Sequence, residues 1–281
     1  MINLDGLEGF DNLEDLNKEL QKRANAYNER GLDDFDGLTP TQMEALQNFP
    51  ESAGALILNK LSEAELKNCP LLVQIRLLID KMKGRKQLEL TKTGALSTKL
   101  VKEIYELGLL KNEGIEAGIT KLYKESDAQE ISITRILLEI SSLAKKRDGK
   151  LSLTKTGEKH ADDGNFILKE ILRVLFNKFN WGYYDGFDSQ AIGRITPAFS
   201  LFLLKKYGGE KRASYFYAGK YFMAFPQLME EDELSFRCYS LRSFERYFKF
   251  MGFVKVEKND FLTPADIQKT KFFDKLFRLE A

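Results

Sequence analysis

The chain has 281 residues, 43% hydrophobic and 12% aromatic, enough for two compact domains with real cores and far from a disordered composition. Its 43 Lys and Arg stand against 42 Asp and Glu, and a net charge of +1 argues for no particular partner. No run of about 18 apolar residues occurs, which excludes a membrane-spanning helix. The start, Met1-Ile2-Asn3-Leu4-Asp5, lacks the pattern of a secretion signal. Cys69 and Cys238, far apart in sequence, read as reduced thiols of a cytoplasmic protein with no membrane partner.

The charge is uneven along the chain. Residues 1–36 carry ten acids against four basic side chains, a net of −6, and the remainder carries 39 basic and 32 acidic side chains, a net of +7. An acidic arm of this kind suits another protein as partner, and its plainer reading is a solvated amphipathic helix.

The first helix is predicted from Asn12 to Arg30, with Leu13, Leu16, Leu20 and Ala24 at helical spacing and Gly31 as its stop. Asp33, Asp34 and Asp36 are candidate ligands for a divalent ion, read mainly as a solvated loop. Thr39, Pro40 and Gln42 announce a capped helix to about Phe49, and another covers Ser62 to Lys67. From Pro70, a wide apolar stripe (Leu71, Leu72, Ile75, Leu78, Ile79, Met82) predicts a helix ending near Gly84. A strand follows at Gln87–Thr91, then helices at Ser97–Leu107 and Ile131–Arg147. Asp148-Gly149 turns the chain into a strand at Lys150–Thr154. This is the element order of a winged helix, a helix-turn-helix core covered on one side by a small sheet.

Leu88-Glu89-Leu90-Thr91-Lys92-Thr93-Gly94 recurs as Leu151-Ser152-Leu153-Thr154-Lys155-Thr156-Gly157, with six of seven residues identical. The copies mark either two domains or two neighbouring strands of one sheet, and the second reading is favoured.

A second unit starts at Asn165 with a helix to about Phe179. Trp181–Gly186 reads as a short strand or turn. Helices follow at Ser189–Tyr207, with Pro197 as a break, at Ala213–Phe225, and at Leu241–Met251 after an acidic turn. Phe253–Glu257 and Phe261–Thr263 form a hairpin, and Thr263-Pro264 caps a last helix. Phe244, Tyr247, Phe248 and Met251 form that unit's core stripe, which leaves Arg242, Arg246 and Lys249 on the wet side. The expected architecture is mainly α (α+β). Residues 1–68 form an acidic helical arm, and winged-helix-like units with short β-hairpin wings occupy 69–164 and 165–281.

Gly37-Leu38-Thr39-Pro40-Thr41-Gln42-Met43, Pro70-Leu71-Leu72 through Leu90-Thr91-Lys92-Thr93-Gly94-Ala95-Leu96, Lys150-Leu151-Ser152-Leu153 and Phe248-Lys249-Phe250-Met251-Gly252-Phe253-Val254 together resemble an uncharacterised bacterial family. Its members occur alone or joined to plasmid-type open-reading-frame modules and SEC-C modules. The resemblance implies a helical scaffold with helix-turn-helix character. The chain departs from it in lacking the Cys- and His-rich tail that some relatives carry, so no metal or other cofactor is expected.

Catalytic chemistry has little to work with. His160, in a polar stretch, reads as a surface side chain, no phosphate loop occurs, and no catalytic residue is identified. The leading expectation is a non-enzymatic binding or scaffold protein, with DNA as a partner class; the alternative is a protein-interaction module that docks partners on its winged helices. Between Lys81 and Lys102 there are seven Lys or Arg and one acid. Arg135, Lys145, Lys146, Arg147, Lys150 and Lys155 are the candidate nucleic-acid-binding residues, placed on the helix and wing that would lie against phosphates. The exposed face expected of Ile131–Arg147 offers Ser132, Arg135 and Glu139. That face is poor in groove-reading groups and favours a structural winged helix.

Overall fold

Local capping chemistry sets the helix starts in the computed structural model, which describes residues 12–51, 54–258 and 263–280. Asn12 accepts from the Asp15 N–H and opens α1 (Leu13–Asn28), none of whose residues is buried. Thr39 and Gln42 cap each other's backbone at α2 (Pro40–Gln47), with Pro40 in the first turn where its missing N–H costs nothing. After the short strand β1 (Leu56–Leu58), Ser62 and Glu65 repeat the device at α3 (Glu63–Leu66). The apolar stripe read from the sequence is the buried face of α4 (Pro70–Met82). Next come β2 (Leu88–Glu89), α5 (Thr98–Glu106), the one-turn α6 (Glu113–Glu116) and α7 (Gln129–Ile140). The hairpin β3 (Ala144–Arg147) and β4 (Lys150–Leu153) follows, and then α8 (Lys155–Lys159).

The helix expected to reach Arg147 ends at Ile140 instead. Ser141 Oγ donates to the Leu138 carbonyl and accepts from the Leu143 N–H, which closes the last turn. Asp148 and Gly149 both have positive φ, the conformation of a two-residue hairpin turn, and such a turn needs a strand on each side. Lys145, Lys146 and Arg147 therefore belong to β3.

The heptapeptide repeat pairs with itself. Leu88 lies opposite Leu151 and Glu89 opposite Lys150, so the two copies are neighbouring antiparallel strands in a sheet of order β2-β4-β3. Their glycines serve different ends. Gly94 has φ +80 in the turn after β2, whereas Gly157 is buried where a β-carbon would overlap the Leu143 carbonyl oxygen.

α9 (Gly164–Asn177) packs against α3, α4 and α7. Beyond it lie α10 (Pro197–Tyr207), β5 (Arg212–Ala213), α11 (Ser214–Ala224) and α12 (Asp232–Ser240). α12 runs on without a break as a π-helix over Leu241–Phe248. β6 (Val254–Glu257), β7 (Asp266–Lys269), α13 (Lys271–Leu276) and β8 (Phe277–Leu279) complete the order. The succession α10–β5–α11–α12–β6–β7 reproduces α4–β2–α5–α7–β3–β4, and its sheet order β5-β7-β6 matches β2-β4-β3.

Four boundaries differ from expectation. Trp181–Tyr184 is a 3₁₀ turn. α10 starts at Pro197 and not at Ser189, because proline suits the first helical position and disfavours helix in the residue before it. α12 begins inside the acidic run, where Asp232 and Glu233 face the positive end of the helix. The last strand is Asp266–Lys269 and Thr270, not Thr263, caps the final helix; of the expected strand Phe261–Thr263, Phe261 and Leu262 lie outside the described residues.

Long-range contacts join the segment 49–58 to the last described strand. β1 pairs with β8 through Ile57 opposite Arg278, and the Phe49 ring packs between those of Phe176 and Phe277. The buried apolar residues form one continuous core from Leu38 to Phe277. The result is a mainly helical α+β protein with antiparallel sheets of two or three strands. No helix among the described residues is long and apolar enough to cross a membrane.

Two charged side chains are covered against expectation. Asp33 and Asp34 are exposed, as expected of a solvated loop, but Asp36 turns inward: its carboxylate meets Lys206 Nζ at 2.8 Å and Lys220 Nζ at 2.5 Å, and accepts from Tyr207 OH at 2.9 Å. Burial pushes its pKa up, but these three donors outweigh burial and hold it below the ordinary value. Arg242 is not on a wet face, being 1% exposed. The irregular segment 185–196 covers that side of the helix, and a covered guanidinium needs a counter-charge. Asp185 supplies it through two bonds of 2.8 Å, while the carbonyls of Ser189 and Ile192 take the remaining donors.

Candidate nucleic-acid interface

In an antiparallel ladder, residues directly opposite share a face and successive residues alternate. The β3–β4 register pairs Ala144 with Leu153 and Lys146 with Leu151 on one face, and Lys145 with Ser152 and Arg147 with Lys150 on the other. Ala144, Leu151 and Leu153 are buried, so the Lys145–Arg147–Lys150 face points outward. Beside it run the loop 84–87 and the helix α8. Together they enclose an open groove of about 950 Å³, into which Arg85, Lys86, Lys145, Arg147, Lys150 and Lys155 project against only Asp148 and Glu158.

The groove's walls are fixed by backbone chemistry. Gly84 and Arg85 have φ of +69 and +63, and Arg85 is held in that uncommon left-handed conformation by its N–H, which donates to Glu158 Oε1 at 3.1 Å. Thr154 caps α8 by accepting from the Gly157 N–H and donates to the Ser142 carbonyl, which ties the helix to the start of the hairpin. The cations themselves are lightly engaged. Lys86, Lys145 and Lys155 make no ion pair among the described residues. Lys150 meets Glu89 at 3.6 Å and Arg147 meets Asp148 at 3.3 Å, solvent-exposed pairs that hold their partners weakly.

Of the six candidate residues, Lys145, Arg147, Lys150 and Lys155 line this groove, and Arg135 and Lys146 do not. Lys146 lies on the opposite face of β3, its Nζ 3.4 Å from the Gly94 carbonyl and 3.8 Å from Glu139. The two-residue turn at Asp148-Gly149 carries the signal for this, since it forces Lys146 opposite the buried Leu151. Arg135 is 11% exposed, clamped by Glu125 at 2.9 Å and Glu139 at 2.7 Å. Burial works against its charge, and the two carboxylates more than compensate, raising its pKa. Arg85 and Lys86 complete the groove from a stretch whose basic character is plain in sequence but whose proximity to the hairpin depends on β2–β4 pairing.

α7, the helix before the hairpin, has no exposed residue. It packs against α4, α5 and α9, and several of its polar side chains are bonded within the protein. Gln129 Nε2 donates to the Tyr184 carbonyl, Ser132 Oγ to the Glu125 carbonyl, and Thr134 Oγ1 to Gln74 and the Glu130 carbonyl.

The equivalent outer face in the repeated sheet has the opposite character. The β6–β7 register places Lys255 there with Glu257, Gln268 and Asp266, and Glu257 is further paired with Lys211. The remaining residues singled out from sequence carry no site. His160 is half-buried and stacks on Phe166 at 3.7 Å between ring centres. Cys69 and Cys238 are buried, and burial pushes each thiol up to about 12.

The sequence model of one family, described as the Y4jL N-terminal domain, matches residues 67–165, about a third of the chain. That span runs from just before α4 into the first residues of α9 and holds every residue that lines the groove. The match is consistent with the resemblance to an uncharacterised family. No curated protein and no solved structure matches the chain.

Proposed function

We propose that the segment from α4 to α8 is a winged-helix-like module that holds nucleic acid by its phosphates, and that the chain is a non-enzymatic, DNA-associated binding protein. The observation that carries this reading is the convergence of six cations and two acids in one exposed groove; its hairpin face alone carries three cations and no acid, whereas the corresponding face of the β6–β7 hairpin carries one lysine and two acids. Lys and Arg that neutralise phosphates release condensed counterions, and that release drives binding and makes it salt-dependent. The paired hairpin and the pinned 84–87 loop fix the backbone that carries the cations before the ligand arrives, so the ordering entropy lost on binding is confined to the side chains.

The test is binding of the full chain to a mixed-sequence duplex at low and raised salt. Affinity should fall steeply with salt. The Lys145→Glu/Lys150→Glu double variant should lose at least about tenfold in affinity, while Lys255→Glu on the second sheet leaves affinity unchanged. Failure to bind at low salt, or an equal loss from Lys255→Glu, removes the reading.

A further inference from the structure

We infer that the groove takes a nucleic-acid duplex by its backbone alone, without reading bases, so that binding is independent of sequence. This rests on the phosphate-binding reading above and narrows its ligand.

Three features of the groove lead to it. The helix that would enter a major groove is not available: every residue of α7 is at least partly covered, and Gln129, Ser132, Thr134 and Arg135 are already bonded within the protein. Base-edge recognition in the helix-turn-helix manner needs several side chains projecting from one exposed helix. No exposed side chain remains on that helix to do it.

The lining itself offers charge and little else. Gln87 is its one amide, and the other long polar groups are cations or the two acids. Lysine meets phosphate as a point charge. Lys145 and Arg147 lie two residues apart on one strand, about 7 Å by the strand rise, with Lys150 directly opposite Arg147. Cations at this spacing along β3, with a third across the ladder, suit neighbouring phosphates of a nucleic-acid backbone.

Single strands are disfavoured by a third feature. Proteins that hold single-stranded nucleic acid use aromatic side chains as stacking platforms. Among the described residues no aromatic lines the groove, and the strongly exposed aromatics Tyr123 and Tyr183 lie outside its lining. What a charged, non-aromatic, preformed surface selects is high phosphate density, and a duplex has about twice that of one strand.

The experiment compares the full chain on two 20-base-pair duplexes of unrelated sequence and on a single strand of one of them, across a salt series. The inference expects affinities for the two duplexes within threefold of each other and single-strand binding at least tenfold weaker. It also expects a log–log salt slope approaching about −5 on duplex if all six cations engage. A preference above tenfold between duplexes, or single-strand affinity equal to duplex affinity, overturns the inference and leaves the groove as the binding surface. Duplex binding that Lys145→Glu/Lys150→Glu does not weaken, or no binding to any probe, overturns the groove reading and the inference together.

Discussion

Replacing Arg242 by Met tests whether the buried ion pair holds segment 185–196 against the α12 helix and its π-helical continuation. Arg242 is 1% exposed and gives Asp185 bonds of 2.8 Å from Nε and from one terminal nitrogen. Its other terminal nitrogen serves the carbonyls of Ser189 at 2.7 Å and Ile192 at 3.0 Å. Methionine fills much of the volume but leaves Asp185, 3% exposed, with only Arg246 at 3.4 Å and the Phe187 N–H at 3.1 Å. Breaking a buried pair from one side costs roughly 3–5 kcal/mol, and the surviving partners favour the lower end. At about 2–4 °C per kcal/mol, the melting temperature should fall by about 6–15 °C. Removing both charges in Arg242→Met/Asp185→Leu should cost less than the sum of the two single changes, with coupling of about 2 kcal/mol, because no orphaned charge remains. Thermal melts of parent, singles and double followed by circular dichroism give all the terms. A single variant that melts within about 2 °C of the parent, or strictly additive losses, would refute the assignment of Arg242 as the clamp on segment 185–196.

Three further outcomes follow from the same geometry. Gly157→Ala should cost about 2–3 kcal/mol by forcing a methyl against the Leu143 carbonyl. Gly94→Ala, which meets only backbone strain and the flexible Lys146 tip, should cost about half as much; equal melting shifts would contradict this. Cys69 and Cys238 should stay unreactive toward an aromatic disulfide reagent in the folded protein and both react on denaturation; rapid labelling of either under native conditions would count against their burial. Burial tends to raise the pKa of Asp36 and of Asp185, but their cationic partners lower both below ordinary values. A carboxylate lowered on folding adds stability that is complete above its unfolded pKa of about 3.9 and is lost as pH falls through the folded value. Urea midpoints should therefore drop below about pH 4 in the parent, and drop less in Asp36→Asn, which has less ionic stabilisation left to lose.

Much of the local structure was legible because its causes are local. Thr39 with Gln42 and Ser62 with Glu65 satisfy orphan N–H groups within four residues, so their caps can be read without knowing anything else. The repeat at Leu88 and Leu151 announced its own pairing, since two copies of one alternating pattern suit one ladder. The basic run from Lys145 to Lys155 is plain in the sequence, but apolar spacing carries the expected helix on through residues that the Asp148-Gly149 turn assigns to a strand.

The candidate groove shows the same division. Its lysines and arginines are evident in the composition, and four of the six candidate residues line it. Lys146 left the groove by a side-chain alternation that the turn could have revealed. Arg135 left it for a reason no local pattern carries, namely that Glu125 arrives from a separate turn to neutralise it.

By itself, the sequence determined most of the longer helices, the caps at Thr39 and Ser97, the apolar stripes that form the core, and the basic character of the first hairpin, all of which arise from neighbours along the chain. Only the tertiary structure decided that loop 84–87 joins that hairpin, that α7 is covered on every side, and that Arg242 is buried on a carboxylate 57 residues away. Those outcomes depend on which distant segments come to lie together, and a charge or a helix face carries the same local pattern whether it ends in water or under another element.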